Sequence, residues 1–321
     1  MLESERRQKL GKIEASRHNM RAERENGKRQ GIVSDWNNGM KSVVSQLTGA
    51  FTRAILILVL VAIPSMLLPG IDTDAAQVVS LIGIFGAVLI FFEYSSTYPS
   101  IVEFRDAPPF NRVRFVSLLL TVFLLSIIFR GQIEPTTLTR FVGATGSVIG
   151  QAIDFSYSPV RLVVLMLPEN ASAESLILVR ATAGLSYLIS LLTLAVFLIL
   201  MRLQGWPSRG KTFNVWVNLP TFDPSAGGDV VARLYRDGRL NIILGFLLPF
   251  ISPLAIKAAS KVFDPIVLDS PQTMVWTMAV WAFLPTSLFM RGIAMGRIAS
   301  MIKEKRKRNN ALVEKHGYMP A

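Results

Sequence analysis

Cysteine is absent from this 321-residue chain. Its absence removes disulfides, thiolate metal sites, Cys-ligated iron–sulfur clusters and cysteine nucleophiles together. Histidine is almost as scarce: His18 and His316 are the only two, and both lie in polar terminal stretches. No apolar run therefore offers an imidazole, which excludes His-ligated haem, copper or chlorophyll inside such a run. The same gap excludes the buried Ser–His pair of an intramembrane serine protease. Aspartyl chemistry in a membrane would need two acids within apolar runs, and the nearest acid, Glu93, stands at the edge of one. No GxxxxGK[ST] phosphate loop occurs. These absences predict a chain that is not an enzyme and holds neither cofactor nor metal.

What the chain has in abundance is apolar sequence: 51% hydrophobic residues and a mean hydropathy of +0.42. The longest run, 176–201, exceeds the ~20 residues needed to cross a bilayer. Thr182, Ser186, Ser190 and Thr193 recur along it at helical spacing, with Gly184 close by. They form one small, hydroxylated face suited to packing on other helices. Five further runs, at 50–68, 76–92, 115–129, 240–257 and 273–290, complete a set of six spans. The reading is an all-α, polytopic membrane helix bundle. Residues 50–290 form its transmembrane domain.

The segments between the runs carry their own patterns. Residues 1–49 form a mixed acidic and basic arm, and the periodicity of Trp36, Met40, Val43 and Leu47 predicts an interfacial amphipathic helix over 33–48. The stretch 131–175 is too apolar for a plain loop, while its pieces 141–153 and 160–167 are too short to span, so each reads as an interfacial or re-entrant segment. In the polar loop 202–239, Phe213, Val215, Val217 and Leu219 alternate in a weak strand-like period, and 230–235 reads as a brief amphipathic turn or two. Pro249 and Pro253 remove two backbone donors from the fifth run and predict a helix that bends or breaks there.

Charge sets the orientation. With the N-terminus inside, 27 of the 34 Lys and Arg fall on the inner side and five on the outer, with Arg53 and Arg180 within spans. The positive-inside rule then predicts six spans with both termini cytoplasmic, ending in a basic tail over 291–321. The lack of a signal-peptide pattern points to a multi-pass protein of the cell inner membrane. The net charge of +12 is accounted for by anionic lipid headgroups at that face, so nucleic acid is not needed as a partner.

Two functional classes follow. One is a non-catalytic membrane protein that binds lipids and other membrane protein subunits as an assembly factor, accessory subunit or scaffold. The other is a small-solute or ion transporter or channel with a pathway near the fourth and fifth spans. The second class draws on Arg180, a charge within a span, with Asp154 and Arg161 as its candidate ion-pair partners.

Overall fold

The computed structural model describes residues 40, 43–71, 73–168, 170–207, 213–223, 225, 227–259 and 270–315. The arm 1–39, and with it most of the expected amphipathic helix 33–48, lies outside the described residues. The part of that helix that is described, from Val43 onward, runs straight into the first span.

The described chain is helical throughout, without strands. Six helices are long and apolar enough to cross a membrane: α1 (Val43–Leu67), α2 (Thr73–Ser95), α3 (Phe110–Ile133), α6 (Ala173–Gln204), α8 (Val230–Ala259) and α9 (Pro271–Lys315). Between α3 and α6 lie α4 (Thr137–Ile153) and α5 (Pro159–Val164), and α7 (Val215–Asn218) interrupts the loop before α8. Local chemistry places the ends. Ser172 accepts from the Ser175 N–H to start α6, and Gly205 closes it at φ 60°, a left-handed position suited to glycine. Ser158 caps α5 ahead of Pro159, and Ser270 caps α9 ahead of Pro271.

The body of the bundle is built on α6 and α9. α9 packs on α3, α6 and α8, while α6 and α8 share little direct contact. Along α8 the buried positions Val231, Leu234, Gly238, Asn241, Gly245, Pro249 and Pro253 keep one seam against α9. Backbones meet there: a Cβ at Gly292 would lie 2.5 Å from the Gly238 carbonyl oxygen. Of the bend or break expected at Pro249 and Pro253, the break does not occur, because α8 runs through both prolines as one helix. Gly245, one turn before Pro249, makes a close approach to α9: a Cβ there would stand 2.8 Å from the Pro285 carbonyl oxygen.

Two apolar cores fill the molecule. The first joins α1, α3, α4, α5, α6 and α9 through residues such as Leu60, Val122, Leu125, Ile128, Val163, Ile189 and Met278. In a bilayer such a core gains little from leaving lipid, so close packing is what holds it. The second lies at the end from which α1, α3 and α8 start. It gathers Phe104, Phe110, Phe197, Trp206, Leu219, Met290 and Ile298. Phe104 sits with its ring centroid 4.3 Å from Phe110 and 5.6 Å from Trp206, and the Trp206 indole donates to the Ala107 carbonyl at 3.0 Å. Phe104 has φ 53°, a costly conformation for an aromatic residue, fixed by this packing and by its N–H bond to Asn218 O at 2.7 Å.

This second core corrects the reading of the loop 202–239. The strand-like alternation at 213–219 is instead the short helix α7, because the backbone must turn to bury Leu219 beside the aromatic cluster. The expected brief turn at 230–235 is the first part of α8, capped by Asp229. The basic tail, too, starts as structure: α9 continues past Arg291 to Lys315.

Candidate functional site

Polar groups collect at the two opposite ends of the α3–α6–α9 body. At the end where α6 begins, α4 crosses α6 at close range. A Cβ on Gly150 would stand 2.5 Å from the Arg180 carbonyl oxygen, and one on Gly184 2.5 Å from the Gly150 Cα. Gly146, four residues before Gly150, faces Ile128 and Ala181. This small-residue contact sets Asp154, the C-cap of α4, against α6. Its carboxylate lies between Arg161 Nε (2.7 Å) and Arg180 Nε (2.8 Å), with its side chain only 4% exposed. These are ion pairs by distance, although neither Nε–H is aimed along a hydrogen bond: Asp154 Oδ1, which faces Arg161, and Arg180 Nε both lack a hydrogen-bond partner. Arg161 also donates to the Asp154 carbonyl at 3.3 Å. The structure thus brings Asp154, Arg161 and Arg180 together as two cations on one acid, with Pro159 starting a new helix between Asp154 and Arg161.

The hydroxylated face of α6 is buried at all four positions, Thr182, Ser186, Ser190 and Thr193. Its hydroxyls mostly bond back to their own helix: Ser186 donates to Thr182 O at 2.7 Å and Ser190 to Tyr187 O at 2.8 Å. Thr193 alone of the four reaches another helix among the described residues, donating to Ser117 Oγ of α3 at 2.7 Å. The face works mainly by being small.

At the opposite end a cavity of about 710 Å³ opens between α1 and α2 on one side and α3 and α9 on the other. Its wall carries Arg53, Arg112, Arg114 and Arg291 against one carboxylate, Glu103. Sequence proximity groups Glu103 with Arg105 and Asp106; the fold gives Glu103 a partner 188 residues away. Arg291 donates to it through Nε at 2.6 Å and Nη2 at 2.8 Å, in the forked geometry that favours this pairing. Thr221 donates to the same carboxylate at 2.5 Å, and Arg291 Nη1 donates to Asn241 Oδ1 at 3.0 Å. Arg105 instead covers the end of α2, donating to the carbonyls of Glu93 (3.0 Å) and Ser96 (2.6 Å). Glu93 folds the loop back by accepting the N–H groups of Ser100, Ile101 and Val102, each at 3.0 Å through its nearer oxygen, together with the Ser100 hydroxyl.

Arg114 has no such partner. Its guanidinium lies 5.4 Å from the Phe110 ring and 5.5 Å from that of Phe283, its Nε is buried, and no hydrogen bond joins it to another described residue. Arg53 lies over Tyr94 at 4.5 Å on the facing wall. Farther out, Arg306 of α9 meets Asp229 at 2.6 Å, and this hydrogen bond holds the Asp229 carboxyl below the usual carboxylate range.

Among the described residues no three acids, histidines or cysteines converge as metal donors. The donors in the cavity are cationic and suit an anion. Single-sequence reasoning missed this cavity, because its arginines come from α1, α3 and α9 and none lies mid-run. The available signal was the Arg112–Arg114 pair at the start of the third span, beside Phe110 and Phe115.

No family model matches the chain, and no curated protein or solved structure matches it either. The six apolar helices define the class, a multi-pass helical membrane protein.

Proposed function

We propose that this chain is a non-catalytic protein of the cell inner membrane, with both termini cytoplasmic. It holds other membrane components as an assembly factor, accessory subunit or scaffold. One observation carries this reading: the charged groups stand at the two ends of a body whose buried middle holds apolar side chains and hydroxyls bonded to their own helices or to one another. Val122, Leu125 and Ile128 of α3, Val179 and Ala183 of α6 and Met278 of α9 are all buried between the Arg114 cavity and the Asp154 cluster. Such an arrangement suits holding components at each end better than passing a solute between them. A conduit near the fourth and fifth spans would also need α6 and α8 to share a lining, and each packs on α9 far more than on the other.

The reading is tested by purifying the tagged full chain in mild detergent after cross-linking in its native membrane. We expect one or more membrane subunits in constant ratio to the chain. Recovery of the chain alone, together with ion or solute flux in liposomes that Arg180→Gln abolishes, would establish the transporter instead.

A further inference from the structure

We propose that the cavity between α1–α2 and α3–α9 is a site for one anionic phospholipid. Its phosphate is held by Arg114, and an acyl chain lies along Leu56, Leu60 and Leu118. This goes beyond the scaffold reading and depends only on the chain residing in a membrane.

The order of residues along the helices carries the argument. On α1 the cavity wall runs from Arg53 to Leu56 and Leu60; on α3 it runs from Arg114 to Leu118. Each helix thus passes from a cation to apolar side chains in the same direction, from the end of the molecule toward its middle. On α9, which runs the opposite way, Phe283 precedes Arg291. Charge gathers at one end of the cavity and hydrocarbon at the other. That gradient matches an amphiphile, whereas free phosphate would leave the apolar part unfilled.

Charge balance selects the anionic class. Four arginines and one carboxylate line the cavity. That carboxylate, Glu103, is already engaged by the fork of Arg291 and by Thr221. Among the described residues no carboxylate forms an ion pair with Arg114, Glu103 acting on it only from beyond pairing distance, although its Nε is buried and its guanidinium lies over two aromatic rings. A desolvated guanidinium is costly unless an anion meets it, and phosphate oxygens suit its planar set of donors. The volume falls within the range of small-molecule sites, about 300–1,000 Å³. Apart from Ile101, Val102 and Glu103 of the loop between α2 and α3, the walls belong to four helices of spanning length, so a bilayer lipid is the amphiphile at hand.

Native mass spectrometry of the full chain in detergent, titrated with phosphatidylglycerol, phosphatidylcholine or inorganic phosphate, tests the assignment. We expect one phosphatidylglycerol to bind ahead of phosphatidylcholine. Arg114→Gln should weaken that binding roughly tenfold or more, the scale of a lost charge-assisted hydrogen bond. Arg306→Gln, a cation on the outer part of α9, should leave it unchanged. Leu56→Trp, which narrows the apolar part without touching a charge, should lower occupancy as well. Equal losses in Arg114→Gln and Arg306→Gln would overturn the site in favour of diffuse surface attraction. Inorganic phosphate that displaces the lipid from wild type, or unchanged binding in Leu56→Trp, would overturn the lipid assignment.

Discussion

At the scale of single residues, the Asp154 cluster is unequal by construction. One nearly buried acid serves two arginines that are each substantially more exposed. Removing the acid leaves two cations facing one another, whereas removing one arginine leaves the acid still paired. Asp154→Asn should therefore destabilise more than either Arg161→Gln or Arg180→Gln. The loss should be on the order of 1–3 kcal/mol, as for a buried polar group deprived of its partner. Arg161, the more exposed of the two, should matter least. Thermal unfolding of the three variants in one detergent gives the order, and an Arg161→Gln as damaging as Asp154→Asn would show that the acid is not the shared centre.

At the scale of elements, glycine spacing decides which helices touch. α4 carries Gly143, Gly146 and Gly150. A Cβ at Gly150 would collide with the backbone of α6, while one at Gly143 would meet nothing within 4 Å. Gly150→Ala should push α4 off α6 and lower the unfolding temperature. Gly143→Ala should be neutral or gain up to about 1 kcal/mol from helix propensity alone. If both alanines are tolerated equally, the close crossing is not what seats α4. The hydroxylated face of α6 was legible because four small polar residues at helical spacing in an apolar run have few uses other than packing. The crossing of α4 was not, because a run of 17 residues rich in glycine reads alike as a surface helix or a dip into the membrane. The difference lies in what it packs on, which local sequence does not carry.

At the scale of the whole molecule, the six spans were legible because the bilayer imposes a length and a polarity on each of them independently. Reporter fusions extend this to orientation. Fusions after Thr73 and near Pro168 should report the outer side, and fusions near Asp106, Ser225 and Lys315 the inner side. An inner signal at Pro168 would remove or add a span and end the six-span topology. What stayed hidden was convergence between distant segments. Glu103 looks locally paired with Arg105, yet it meets Arg291, because the loop that carries it is turned by Glu93 and anchored by Phe104 beneath Trp206. The second core stayed hidden for the same reason: most of its aromatics come from two connections that each look merely polar in sequence, and they meet Phe197 of α6 only in the fold.

The unbroken course of α9 has a mechanical consequence. Its 45 residues, Pro285 among them, follow a helical path of about 68 Å, more than twice the ~30 Å of a bilayer's hydrocarbon. The helix carries Phe283 and Arg291 at the cavity and Lys303–Arg308 well beyond it. No loop separates the two stretches to absorb strain. Torque or tilt applied at the lysines and arginines of the far part is therefore delivered to Arg291 with little loss, and through its fork to Glu103 and the loop above α2.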